Sequence, residues 1–255
     1  MAFRQDEIME RLMIKKSDEL LRQFFLALSP NERMHVGLMG GWAVHYLLKR
    51  EGKEHMGSRD IDIFIDPHTI KEKTLFEHLK KLGFQPHSTF RWSKFFHSET
   101  EQELSGEESK KHPSHNISPV FFDIATPVKT KHSMPEPLLK KVYAGQKETF
   151  SLSGVNVMVP SPKILVEMKL GSSIERPDPF KRAKDLVDLY NLLDCFSDLW
   201  AVNNNERIKV KNIPAKKIKK FKAKLDQFRT DGTLNDAATL ARNTPARMYS
   251  LFQKM

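Results

Sequence analysis

The chain has 255 residues, with 42 Lys and Arg against 32 Asp and Glu and a formal net charge of +10. That length supports one large hydrophobic core or two modest ones, and the charge favours anionic partners. A single cysteine, Cys195, excludes an internal disulfide; with no signal-peptide pattern and no apolar run of about eighteen residues, the sequence implies a cytoplasmic protein with no membrane partner.

Ile8, Leu12, Leu21, Phe24, Phe25 and Leu28 recur at helical spacing and predict an N-terminal helix lying across a core. Residues 36–39 then read as a short apolar strand, Gly40-Gly41 as a turn with close backbone approach, and residues 42–49 as a helix. A helix N-terminus behind a glycine turn binds phosphate through its free N–H groups and its dipole. Ser58 adds a hydroxyl for the same phosphates.

The stretch Asp60-Ile61-Asp62-Ile63-Phe64-Ile65-Asp66 follows. Alternate side chains of a strand share a face, so Asp60 and Asp62 project together while Ile61, Ile63 and Ile65 enter the core. Two carboxylates on one face suit a hard divalent cation whose coordination substrate phosphates complete. A tight turn and a strand-end Asp-x-Asp are each commonplace alone; their order here favours phosphate chemistry.

Further along, residues 67–82 read as a helix, 90–96 as an extended segment, and 98–115 as a polar surface loop, a candidate lid rich in Glu, Lys and His. His97, His112 and His115 match no zinc spacing. Val120-Phe121-Phe122-Asp123-Ile124-Ala125 reads as a buried strand, and residues 148–159 as a hairpin turning at Gly154. From Pro162 the chain reads helical, with Leu165, Met168, Leu186, Leu189, Leu192 and Leu193 in apolar stripes, and Cys195 as a small buried hydrophobe. Between Arg207 and Lys224 stand nine Lys or Arg and no acid. Ile218, Phe221, Leu225 and Phe228 stripe this segment as a helix, leaving Lys216, Lys217, Lys219, Lys220, Lys222 and Lys224 as a basic face for nucleic acid. A solubilising lysine face has the same composition.

Gly40-Gly41-Trp42-Ala43-Val44 followed by Ser58-Arg59-Asp60-Ile61-Asp62-Ile63 resembles the nucleotidyltransferase superfamily of DNA polymerase beta, whose signature is Gly-Gly/Ser, a helix, then Asp-x-Asp. Within it the chain is similar to lincosamide and aminoglycoside nucleotidyltransferases and to AbiEii-type toxin nucleotidyltransferases. The motif spans residues 36–66. Two positions depart: toxin-type sequences usually carry Arg or Lys two residues before the serine, where this chain has Met56, and antibiotic-type ones carry Asp where it has His45.

The resemblance implies an α/β (α+β) fold, a mixed sheet flanked by helices over residues 1–160 followed by a helical lobe over 161–255 that bears the basic helix. It implies catalytic, metal-binding carboxylates at Asp60, Asp62 and Asp123, holding Mg²⁺ (or Mn²⁺), with Gly40, Gly41 and Ser58 on the nucleotide. From the toxin-like branch come Lys169 as a triphosphate ligand and Asp185 as a nucleotide or lysine partner. The implied reaction moves a nucleoside monophosphate from a triphosphate to a hydroxyl. The basic helix, with Lys216, Lys217, Lys219, Lys220 and Lys224 as nucleic-acid contacts, tilts the acceptor toward RNA, such as a tRNA end, and the toxin-like branch adds an antitoxin as a partner. A small-molecule acceptor such as an antibiotic is the alternative, and a non-catalytic nucleic-acid-binding module is the alternative from another class.

Overall fold

The computed structural model describes residues 2–197, 201–202, 208–209 and 213–255. The side chains of residues 2–9, 201–202 and 208–209 fall outside that description, and with them Ile8 of the expected N-terminal stripe; so does the Arg207 end of the basic run. The chain divides into two compact units, one of residues 1–46 and 55–160, the other of residues 47–54 and 161–255.

The first unit opens with α1 (Ala2–Ala27) and α2 (Pro30–Arg33). Met13, Leu20, Leu21, Phe24, Phe25 and Leu28 are buried along one side of α1 and beyond its end, while Leu12 is half-buried. Ser29 starts α2 with a capping box closed by Glu32, satisfying two otherwise orphaned N–H groups. Then come β1 (Val36–Met39), α3 (Gly40–Arg50), β2 (Ile61–Ile65), α4 (Glu72–Lys81), β3 (Gln85–Pro86), β4 (Arg91–His97), β5 (Glu103–Leu104), α5 (Gly106–Ser109), β6 (Ile117–Thr126), β7 (Met134–Pro135), α6 (Leu139–Tyr143), β8 (Lys147–Leu152) and β9 (Val155–Pro160). The strands form one sheet in the order β3-β4-β6-β2-β1-β9-β8, with β5 also on β4 and β7 on β6. Pairing is mixed: β2 with β6 and β1 with β9 are parallel, whereas β1 with β2, β4 with β6 and β8 with β9 are antiparallel.

Both faces of the central strands are covered. On one, Phe122 of β6 meets Phe24 of α1 at 4.7 Å and Phe84 at 5.5 Å between ring centroids. On the other, Phe64 lies edge-on to Tyr143 of α6 at 5.8 Å. Phe64 shares the face of Asp62, so β2 is more completely buried than a simple alternation of Ile and Asp suggests. The Phe64 ring crosses its ladder partner Gly37, where a Cβ would collide with the ring. The Nε1–H of Trp42 donates to Ser17 Oγ at 2.9 Å, tying α3 to α1.

Three expected boundaries shift for local reasons. The helix anticipated from Pro67 begins only at Glu72, because Asp66 organises a turn by accepting from the His68 N–H at 3.0 Å. Gly40 and Gly41 form the first turn of α3 rather than a separate turn before it. The polar run after Phe96 is not one long loop: β5 pairs with β4, and Ser105 with Glu108 forms a capping box that starts α5. The Ser153-Gly154 pair, φ 51° and 83°, makes the hairpin turn where expected.

The second unit is helical: α7 (Pro162–Glu175), α8 (Pro179–Cys195), α9 (Ala215–Thr230), α10 (Thr233–Leu240) and α11 (Pro245–Lys254), with a short antiparallel pair β10 (Ala201–Val202) and β11 (Ile208–Lys209) between α8 and α9. The chain is thus a mixed sheet flanked by helices and followed by a helical region, the fold class read from the sequence. α7 is buried on nearly every side. Cys195, expected to be buried, is half-buried. Among the described residues no helix is long and apolar enough to cross a membrane.

Inside this unit Lys169 of α7 reaches two carboxylates of α8, Asp185 at 2.9 Å and Asp188 at 2.5 Å, and Arg176 approaches the other Asp185 oxygen at 3.1 Å. Burial lowers the Lys169 pKa, but the two aspartates outweigh it and hold the ammonium above its ordinary value. The cluster couples α7 to α8 by charge, and removing one member leaves buried charge uncompensated.

Two stability outcomes are expected. Gly37→Ala should destabilise by about 1–3 kcal/mol through overpacking, and Gly37→Ala/Phe64→Leu should recover part of that loss in urea unfolding. Lys169→Met should cost about 3–5 kcal/mol, while exposed Lys216→Met stays within about 0.5 kcal/mol.

Candidate active site

Sheet register assembles the site. Across β1, β2, β6 and β4, Met39 pairs with Asp62, Asp62 with Asp123, and Asp123 with Arg91. Residues opposite one another on adjacent strands present their side chains to the same face, at strand spacings of about 4.8 Å. Two carboxylates and a guanidinium therefore stand in one row, and Asp60 precedes β2 two residues before Asp62.

The row abuts the start of α3. Gly40 has φ 66°, a left-handed conformation that glycine adopts at little cost, and a Cβ there would collide with Asp62 Oδ2. Asp62 thus lies against the first helical turn, where N–H groups lack helical partners and the dipole is positive. A Cβ on Gly41 would stand 3.0 Å from Ser58 Cβ and 3.3 Å from Ser58 Oγ. Gly40, Gly41, Ser58, Asp62 and Asp123 are brought together by the β1–α3 junction and one pair of parallel strands.

Arg91 completes the row. Its Nε donates to Asp123 Oδ1 at 2.7 Å and its terminal nitrogen to Oδ2 at 2.6 Å, a bidentate pair. The guanidinium stacks over Phe121 at 4.6 Å from the ring centroid. Its pKa is raised by the hydrogen bonds to Asp123, against burial, and by the charges of Asp123, Asp60 and Asp62. Arg91 had no signal in the sequence: it lies in an ordinary extended segment, and only the β4–β6 register reveals its partner.

The donor set of Asp60, Asp62 and Asp123 is all oxygen, which suits Mg²⁺ or Mn²⁺. Among the described residues no group of three or more His, Cys, Asp or Glu is disposed to hold an ion, and Arg91 is the cation that balances Asp123. The oxygen chemistry of these carboxylates is of the kind that a divalent cation such as Mg²⁺ takes, and Asp60 and Asp62 are the residues that could hold one. The histidines near the α5 region give no such set: His97 and His112 meet edge to face at 5.1 Å, and His97 Nδ1 accepts from the Glu99 and Thr100 N–H groups at 3.3 Å. His45 is packed edge-on against Trp42 and Tyr46 at 5.1 and 5.0 Å.

Lys169 and Asp185 belong to the second unit, where they are buried against each other. The basic face of α9 is narrower than its composition suggests. Lys217, Lys222 and Lys224 donate to the backbone carbonyls of Glu167, Gln253 and Ile174 at 3.0, 2.7 and 3.2 Å. Lys216, Lys219 and Lys220 are exposed, the last 3.8 Å from Glu175.

No family model matches the chain, and no curated protein matches it. Among solved structures it is similar to an antigenic nucleotidyltransferase-like protein from Paracoccidioides brasiliensis, with 17% sequence identity, a TM-score of 0.43, and coverage of 83% of this chain and 87% of that one.

Proposed function

We propose that this chain is a Mg²⁺-dependent nucleotidyltransferase that moves a nucleoside monophosphate from a nucleoside triphosphate to a hydroxyl, with RNA as the acceptor. The observation that carries this is the placement of Asp62 and Asp123 side by side beneath the glycine-started helix α3. Clustered carboxylates beside a helix N-terminus serve little purpose in simple nucleic-acid binding, where negative charge opposes phosphate. They suit a site in which phosphates and cations arrive together.

In this proposal the first turn of α3 and the backbone at Gly40 and Gly41 receive the phosphates through N–H groups, and the Ser58 hydroxyl donates to one of their oxygens. Asp60 and Asp62 would hold the cation, with Asp123 as third carboxylate; when bound, Mg²⁺ neutralises phosphate charge and favours ionisation of the acceptor hydroxyl. Asp123 accepts the hydroxyl proton on a carboxylate oxygen. The acceptor oxygen bonds to the α-phosphorus, the bond to the β-phosphate oxygen breaks, and pyrophosphate leaves.

RNA is favoured by the net charge of +10 and by exposed Lys216, Lys219 and Lys220 on α9. A small hydroxylated acceptor is favoured instead by the commitment of Lys217, Lys222 and Lys224 to backbone carbonyls. Incubation with each α-³²P-labelled triphosphate, Mg²⁺ and total RNA should label a discrete RNA band on a denaturing gel. Asp62→Asn should cut that labelling by about 10³-fold, equivalent to about 4 kcal/mol. Raising salt from 50 to 200 mM should weaken an RNA acceptor by orders of magnitude and leave a neutral small acceptor nearly unchanged. Label on no RNA, with triphosphate still bound, would favour the small acceptor; no triphosphate binding would sink the enzymatic proposal.

A further inference from the structure

Arg91 stands in one row with Asp62 and Asp123, and its geometry is specific. Both Asp123 oxygens accept from it, at 2.7 and 2.6 Å. The ladder places the two residues directly opposite, and Phe121, on the face of Asp123, supports the guanidinium from its flat side at 4.6 Å. Asp123 is nearly buried, with 7% of its side chain exposed, whereas Arg91 retains 25%. The carboxylate is enclosed, whereas the arginine keeps contact with solvent.

We propose that Arg91 is an internal counter-cation that competes with the divalent cation for Asp123, so that loading of the site requires the guanidinium to leave the carboxylate. This deepens the nucleotidyl-transfer proposal and rests on it. The physical case is electrostatic. Without a cation, Asp62 and Asp123 one strand apart would repel, and Asp60 adds to the charge; Arg91 relieves that repulsion. A divalent ion supplies the same compensation with greater charge, but the positive guanidinium repels it, and the bidentate grip occupies the oxygens it would ligate. The arginine thus stabilises the empty site and weakens cation binding through one contact. It is a positioning residue, since it acts through Asp123.

Released from Asp123, the guanidinium keeps its planar fork of donors, which matches phosphate as well as carboxylate. Cation entry would thereby free a phosphate-binding group at the edge of the site. Lysine at this position could balance the charge but could not hold both oxygens in the same plane.

The test uses Mn²⁺ alone, without nucleotide, titrated into the full chain and followed by loss of the free-ion electron paramagnetic resonance signal, beside thermal unfolding with and without Mg²⁺. Arg91→Gln should bind Mn²⁺ at least tenfold more tightly than wild type, and Arg91→Lys by an intermediate factor. Both should melt lower than wild type without metal and gain more from Mg²⁺. A purely structural ion pair would lower melting and leave Mn²⁺ affinity unchanged or weaker, which overturns the inference. If Arg91→Gln does not fold, Arg91→Lys decides by the same criterion. Wild-type binding that neither variant strengthens would defeat the inference alone; no binding to wild type or variants, even with a non-hydrolysable triphosphate, would defeat the parent proposal with it.

Discussion

The structure turns on a conflict of like charge: parallel pairing of β2 with β6 sets Asp62 directly opposite Asp123. Two carboxylates one strand apart oppose folding unless a cation stands with them. The protein meets that demand with β4, whose antiparallel ladder brings Arg91 to Asp123. The glycine-started helix contributes from the other side, laying its positive end against Asp62. Strand order, helix position and the placement of charge are thus solutions to one problem. A sheet with β4 elsewhere would remove the bidentate Arg91 contact from Asp123.

The second unit handles buried charge in the opposite way. Lys169 is enclosed with Asp185 and Asp188 on all-helical ground, and Arg176 closes the cluster at its more exposed side. There the acids outnumber the lysine, and the second cation restores neutrality. This arrangement holds two helices in register. The row in the first unit borders a helix terminus and an arginine that keeps a quarter of its side chain exposed.

What the sequence reveals and what it hides divide along range. Local patterns were legible: the β1 strand, the Asp-x-Asp strand, the Ser153-Gly154 hairpin and the apolar stripes of α7 to α9 follow from alternation, helical spacing and turn chemistry. The Asp66 turn and the Ser105 capping box were also written locally, but in short polar signals that a long hydrophilic run obscures. Arg91 was not legible, because its role depends on which residue β6 places opposite it thirty-two positions away. The same holds for Asp188, an unremarked neighbour of Asp185 until α7 and α8 pack. The lysines of α9 were legible as a composition, not as individuals; only packing shows which of them are spent on backbone carbonyls.

The edges of the sheet carry a consequence for the chain among its own copies. Beyond β4 the sheet is finished by β3 and β5, each two residues long, and Pro86 removes a donor from the first. At the other end, β8 begins Lys147-Glu148-Thr149, with Lys147 and Thr149 exposed. Short strands, proline and charge are the devices that deny an unpaired ladder to a neighbouring molecule. At one edge the sheet ends in two-residue strands and a proline, and at the other in a strand that opens with charged and polar side chains, so both edges carry features that disfavour pairing with a further strand.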